Sequence, residues 1–95
     1  MRRFLLDARE MLHPEPLEKA IAILRGLDGN SYLYMLHRMN PVPLVALAND
    51  YSLNWISKEV DEVWHILISP NQNINLEQFI DYDLIKHQEA VDVSR

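Results

Sequence analysis

The chain of 95 residues contains no cysteine. Disulfide bonds and thiolate chemistry, including the carriage of sulfur as a persulfide, are therefore excluded for any fold that it adopts. Glycine is almost as scarce, since Gly26 and Gly29 are the only two in the chain. This pair cannot form the glycine-rich loop that cradles the phosphates of a nucleotide, so the sequence also argues against a nucleotide-binding enzyme.

Positive charge and long apolar runs are lacking as well. Nine Lys and Arg residues stand against 14 Asp and Glu residues, and the net charge of -5 opposes the counter-ion release that drives nucleic-acid binding. The apolar run after Arg2 and Arg3 ends at Asp7, far short of a signal-peptide core, and no run approaches the ~20 residues of a membrane span. We therefore predict a cytoplasmic protein that binds neither nucleic acid nor a membrane.

The remaining composition is that of an ordinary globular protein. Hydrophobic residues make up 48% and charged residues 24% of the chain, which is enough for one packed core. After Pro70 the composition shifts towards Asn and Gln. We therefore predict one α+β domain over residues 1–70 and a C-terminal extension over residues 71–95, helical and packed either on the domain or in a homodimer interface.

The hydrophobic periodicity alternates between strand and helix along the first 69 residues. Strands are predicted over residues 3–8, 31–37, 53–58 and 63–69, and amphipathic helices begin near Pro16 and Leu44. The order β-α-β-α-β-β predicts a two-layer α+β sandwich, a four-stranded mixed sheet with two helices on one face. A third helix capped by Asn75 is expected in the extension. Trp55 and Trp64 are expected to pair across the last hairpin.

One short pattern occurs twice. Residues 12–17 (LHPEPL) and 39–44 (MNPVPL) share the order apolar, polar, Pro, any residue, Pro, Leu. Each copy follows a strand and opens a helix, where proline is tolerated in the first turn. Helix-start chemistry explains Asn40, which is a good N-cap residue, better than it explains His13.

These motifs resemble a known family. Residues 6–9 (LDAR) followed by residues 13–17 (HPEPL) resemble the start of the TusA-like (SirA-like) sulfur carriers, in which a strand ending in Asp-x-Arg leads into a Cys-Pro-x-Pro motif. The resemblance covers about residues 3–69 and implies the same β-α-β-α-β-β fold. His13 stands where the carriers have their reactive cysteine, so persulfide transfer is excluded.

The histidine and the second Pro-x-Pro segment resemble most closely the bacterial family known as domain of unknown function 2249. This family is related to the sulfur carriers, and some of its members occur beside hemerythrin-like domains. The resemblance implies the fold, but it does not imply an activity.

The predicted fold brings both Pro-x-Pro turns to one edge of the sheet. This edge lies beyond the carboxyl ends of two parallel strands, where open sheets bind ligands beside helix N-termini. The polar side chains near it form the candidate ligand-binding or partner-binding set: Asp7, Arg9, His13, Glu15, His37, Arg38 and Asn40. The simpler interpretation of Asp7 is a turn-stabilising ion pair with Arg9 or Arg38.

Three functions remain open from the sequence. The favoured one is a non-enzymatic binding or adaptor module without a cofactor, which presents the edge around His13 and Asn40 to a protein partner or a small anionic ligand. The first alternative is a protein associated with a metal ion or haem through His13 and His37, although no short histidine spacing supports it. The second is a small enzyme with His13 as general base. His65 is predicted to be a partly buried sheet histidine.

Overall fold

The computed structural model describes residues 1–84. Its strands are β1 (Arg2–Asp7), β2 (Ser31–His37), β3 (Asn54–Val60) and β4 (Val63–Ser69), its helices are α1 (Glu15–Arg25) and α2 (Val42–Asp50), and a 3-10 helix follows at Leu76–Phe79. The predicted order of elements and the α+β class are confirmed. No helix in this part of the chain is both long enough and apolar enough to cross a bilayer.

The strands form one mixed sheet in the order β1-β2-β4-β3. Strands β1 and β2 are parallel neighbours, whereas β4 runs antiparallel to both β2 and β3. Because β1 and β2 point the same way, the segments that follow them leave from the same edge of the sheet. This pair of strands therefore positions the candidate site.

Strand β2 is buried on both faces, as its continuous apolar sequence predicts. Since side chains alternate along a strand, Leu33 and Met35 face the two helices, and Tyr34 and Leu36 face the opposite side. The helix-side core is completed by residues from all of the flanking elements, namely Leu6, Ala8, Ala20, Leu44, Ala48, Ile66 and Ile68.

The face that the helices leave open is covered by residues 76–84. Leu76 and Ile80 are buried there against a second core formed by Tyr32, Tyr34, Leu36 and Leu67. Phe79 adds a tilted ring contact with Tyr32, with the ring centroids 5.1 Å apart. The second core therefore depends on residues beyond Pro70.

Asparagine side chains hold the connection between β4 and this cover. The Asn54 side-chain amide donates to the carbonyl oxygens of Asn71 and Ile74 at 3.0 and 2.9 Å. Asn71 in turn donates to the carbonyl of Gly29 at 2.9 Å. These bonds satisfy backbone carbonyls that no strand or helix pairs, which gives the Asn-rich composition after Pro70 a structural role.

The C-terminal helix expected from the periodicity is present within the described residues as a 3-10 turn over Leu76–Phe79. Asn75 caps it as predicted, since its side-chain oxygen accepts the Glu77 N–H at 3.2 Å. Ile80 then adopts an extended conformation, and the Asp81 carboxylate accepts the Asp83 N–H at 3.0 Å. This local bond offers the backbone an alternative to a helix. The later part of the predicted helix, with His87, lies outside the described residues.

The last hairpin turns on two residues, Asp61 and Glu62, which both have positive φ. A two-residue turn with this geometry places Val60 opposite Val63 and sets the register of every later pair. Trp55 therefore lies opposite Ile68, and the prediction that it pairs with Trp64 is wrong. Both tryptophans pack against the helix-side core, but at different ends of the hairpin.

A polar chain runs through the second core. The Asp81 N–H donates to the Tyr34 hydroxyl at 2.9 Å, and the hydroxyl lies 2.5 Å from Nδ1 of the buried His65. The Tyr34 hydroxyl hydrogen has no other acceptor within residues 1–84, so it is directed to Nδ1, and the imidazole proton then lies on Nε2. Within residues 1–84 this Nε2 is buried without a hydrogen-bond partner.

The burial of His65 predicts that the free energy of unfolding falls as the pH drops below about 6.5. Burial lowers the pKa of His65 below its usual 6.5, the Asp81 carboxylate opposes this shift, and Arg9 adds to it. The unfolded chain therefore takes up the proton at a higher pH than the folded chain, and acid favours unfolding. One such proton contributes at most about 1.4 kcal/mol per pH unit. Urea unfolding between pH 7 and pH 5 measures this slope, and His65→Gln should flatten it.

The control for this measurement is His37, whose pKa is lowered by burial and by Arg38 and which therefore contributes with the same sign. His65 is only 1% exposed, so His37→Gln should flatten the slope less. The charged residue that faces His65 from β3 is Lys58, its register partner, and it is present in both variants. If His65→Gln does not change how the free energy of unfolding varies with pH, other groups cause the pH dependence.

Candidate functional site

The two copies of the Pro-x-Pro pattern face each other across one cleft. The first copy follows β1 and opens α1, the second follows β2 and opens α2, and the parallel pairing of the two strands makes them neighbours. The cleft has a volume of about 600 Å³ and is lined by residues 11–13, 16–17, 35 and 37–44. Two segments that lie 27 positions apart in the sequence thus form one concave surface.

The lining is mainly apolar and rich in methionine. Three of the four methionines in the chain, Met11, Met35 and Met39, line this cleft. Met35 is fully buried, whereas Met39, Leu12 and Val42 are exposed by 63, 76 and 63%. Large apolar side chains exposed around a concave surface are typical of a binding site, and methionine adapts its shape readily to a ligand.

These apolar residues were not among the predicted site residues. A signal was present, because Leu12 and Met39 occupy the same position in the two copies and precede the helices that follow. An apolar residue outside an amphipathic stripe is not required by the core of that helix. The repetition of such a residue in both copies could have indicated that it lies exposed at the edge of a binding cleft.

Four of the seven predicted site residues lie together. His13, His37, Arg38 and Asn40 all line the cleft. None of the fourteen lining residues is Asp or Glu, although the chain as a whole carries a net charge of -5. The polar side chains of the cleft are therefore two imidazoles, one guanidinium and one amide.

Asp7 and Arg9 are engaged with each other and do not line the cleft. The Arg9 guanidinium donates to both carboxylate oxygens of Asp7, at 2.9 and 2.7 Å, and the Arg9 N–H donates at 3.2 Å. The side-chain hydrogen bonds lower the pKa of the Asp7 carboxyl, while partial burial opposes them. Since Leu6 and Ala8 face the helices, alternation directs Asp7 to the other face of the sheet.

Glu15 also lies away from the cleft lining. It is the first residue of α1, and its carboxylate lies 4.0 Å from the Lys19 amine one turn later. Both side chains are about half exposed, so this ion pair contributes little to stability. A negative charge at this position suits the N-terminus of a helix.

Asn40 does not cap α2, so that part of the sequence interpretation is wrong. Pro41 occupies the N-cap position, and the Asn40 side-chain oxygen instead accepts the Ser57 hydroxyl of β3 at 2.7 Å. His13 likewise precedes the N-cap residue of α1, Pro14, to which a cis peptide bond joins it. In both copies the first proline displaces the polar residue from the cap.

The N-terminus of α2 has no unoccupied backbone donor in its first turn. Val42 N–H donates to the Asn40 carbonyl, Leu44 and Val45 donate to the Pro41 carbonyl, and Pro43 has no N–H. Helix N-termini bind anions mainly through such groups. An anion at this end of the cleft would therefore depend on side chains and not on the helix backbone.

His37 is held in one tautomer. Its Nδ1 accepts the Met39 N–H at 3.2 Å, so a neutral ring carries its proton on Nε2. Burial and the adjacent Arg38 lower the pKa of His37 below its usual 6.5, which keeps the ring neutral at pH 7. His37 thus presents a neutral N–H donor. A metal ion on Nε2 would move the ring proton to Nδ1, where it would meet the Met39 N–H.

A metal ion held by His13 and His37 would need at least one further ligand. The two histidines share the cleft, but residues 1–84 contain no group of three or more His, Asp or Glu side chains placed to hold a metal ion.

Comparisons with protein-family models, with curated proteins and with solved structures find no match to this chain. The resemblance to the sulfur carriers and to domain of unknown function 2249 therefore stays a prediction from residues 6–17 and 39–44.

Proposed function

We propose that the chain is a small cytoplasmic binding module, not an enzyme, and that its cleft receives the apolar part of a ligand. The observation that carries this proposal is the joining of the two Pro-x-Pro copies into one apolar cleft with Leu12, Met39 and Val42 exposed around it. Exposure of these side chains to water is unfavourable in the free protein, by about 25 cal/mol per Å² of apolar surface. A ligand that covers them recovers this free energy.

The polar groups of the cleft support binding more than catalysis. The Asn40 oxygen is bonded to Ser57, and His37 Nδ1 is bonded to the Met39 N–H, so both side chains are fixed to the framework. Such bonds pre-organise a site and reduce the entropy that a ligand must overcome. His37 is not suited to act as a general base, because its accepting nitrogen is already bonded to the Met39 N–H. His13, the residue that the enzyme alternative names, lies at the same cleft. The resemblance to the sulfur carriers also supports a binding site at this cleft, because His13 stands where the carriers have their reactive cysteine.

The methionine methyl groups provide a direct test of the proposal. With [13C-methyl]methionine and octan-1-ol as the apolar probe, we expect the NMR signals of Met11, Met35 and Met39 to shift on titration. Met1, which precedes β1 and lies outside the cleft lining, is an internal control and should not shift. Equal shifts of all four signals would indicate non-specific partition and contradict the proposal.

A pair of rim variants localises the probe further. Val42→Asp places a carboxylate among the exposed apolar side chains around the cleft. A bound octan-1-ol would remove water from this carboxylate, which is unfavourable, so binding should weaken roughly tenfold. Tyr51→Asp is the matched control, since Tyr51 is 71% exposed and lines a separate depression between α1 and α2. Equal weakening by both variants would show that the cleft is not the binding site.

A further inference from the structure

The chemistry of the cleft also indicates which polar group its ligand carries. Its polar lining residues are Arg38, His13, His37 and Asn40, and none of them is acidic. Arg38 has no carboxylate partner in the described part of the chain. A cation without a counter-ion beside an apolar cleft, in a chain of net charge -5, is complementary to an anionic group on the ligand.

The donors match a single negative charge. Neutral His37 contributes one N–H, the Asn40 oxygen is occupied by Ser57 so that its amide end is a donor, and Arg38 contributes the charge. A phosphate monoester carries a charge of about -1.5 to -2 near pH 7, which one guanidinium would not balance. The backbone donors that usually supplement a phosphate site are occupied at α2. A carboxylate fits this set better.

The size of the cleft favours a small molecule over a protein surface. Its volume of about 600 Å³ lies within the range of small-molecule sites, about 300–1,000 Å³. A specific protein interface uses about 20–30 residues on each side, which is more than the fourteen residues that line the cleft. Met11, Leu17 and Met39 offer an apolar wall against which a hydrocarbon chain packs.

We propose that the ligand of the cleft is a small monocarboxylic acid with an apolar chain, its carboxylate held by Arg38 and the His37 Nε2–H and its chain lying against the methionines. This inference rests on the proposed binding function and specifies the chemical class of the ligand.

The test compares three probes with the same chain and different head groups: octanoate, octan-1-ol and octylammonium. Kd values come from the methyl shifts of Met11, Met35 and Met39 at pH 7. We expect octanoate to bind more tightly than octan-1-ol, and octylammonium to bind most weakly. Arg38→Gln should weaken octanoate binding roughly 3- to 10-fold and leave octan-1-ol binding unchanged.

Arg25→Gln is the matched control, because Arg25 is an exposed arginine at the end of α1 and lines the other depression. It removes the same charge from the molecule, so it corrects for the change in net charge. If Arg25→Gln weakens octanoate binding as much as Arg38→Gln does, or if octan-1-ol binds as tightly as octanoate, the carboxylate proposal is overturned and the binding function stands. If no probe shifts the three methionine signals, the proposed binding function fails with it.

Discussion

A chain that ends at Pro70 is expected to lose most of its stability and to self-associate. Truncation removes Leu76 and Ile80 from the second core and leaves Tyr32, Tyr34 and Leu67 uncovered. Burial of two large aliphatic side chains contributes roughly 3–6 kcal/mol, which is comparable to the whole free energy of unfolding of a small domain. An apolar face of this kind is rare on a monomer.

Size-exclusion chromatography and binding of a hydrophobic dye measure this outcome, together with urea unfolding followed by tryptophan fluorescence. The control is a chain that ends at Leu84, which keeps every described contact of the second core. It should remain monomeric, bind no dye and unfold with a larger free energy than the chain that ends at Pro70. A chain ending at Pro70 that stays monomeric, binds no dye and unfolds normally would show that the cover is dispensable.

The second large effect is expected from Tyr34→Phe. The substitution removes the hydroxyl that joins the Asp81 N–H to His65 Nδ1, and leaves both groups without their partner. An unsatisfied buried acceptor costs about 1–3 kcal/mol, and this penalty falls mainly on His65, because the Asp81 N–H is only half-buried. The variant should therefore lose roughly 1–3 kcal/mol of unfolding free energy. Urea unfolding at pH 7.5, where His65 is neutral in both states, measures this loss without a contribution from protonation.

Tyr32→Phe is the matched control for this substitution. Tyr32 lies two residues earlier on the same strand, faces the same core and packs against Phe79, but its hydroxyl makes no hydrogen bond within residues 1–84. Removal of that hydroxyl should change the unfolding free energy by less than about 1 kcal/mol. Equal losses in the two variants would mean that the chain from Asp81 to His65 does not contribute to stability.

The order of elements could be predicted because each element is encoded locally. The alternation of apolar residues distinguishes strands from helices, and β2 and β4 were predicted with the boundaries that the structure shows. The two-layer fold follows from that order, because short connections and right-handed crossovers leave few arrangements of the strands. The exclusion of disulfide and persulfide chemistry could also be predicted without a structure, because a chain without cysteine lacks the thiol group in every fold.

The site could be predicted only in part. Parallel pairing of the strands that precede both Pro-x-Pro copies was implied by the topology, and it accounts for His13 and Asn40 lying at one cleft. The partner of each polar group was not implied, because hydrogen bonds such as that between Asn40 and Ser57 join residues 17 positions apart. The register of the hairpin, which separates Trp55 from Trp64, likewise depended on which two residues make the turn.

The sequence alone therefore determined the class of fold, the excluded sulfur chemistry and the edge at which the two repeated motifs end, since each depends on residue type and local spacing. The tertiary structure decided which side chains meet: it paired Asp7 with Arg9, buried His65 beneath residues 76–84, and joined two apolar segments into a cleft. The physical reason is that these contacts are made between elements distant in the chain. Their geometry is set by the packing of whole layers and not by any local pattern.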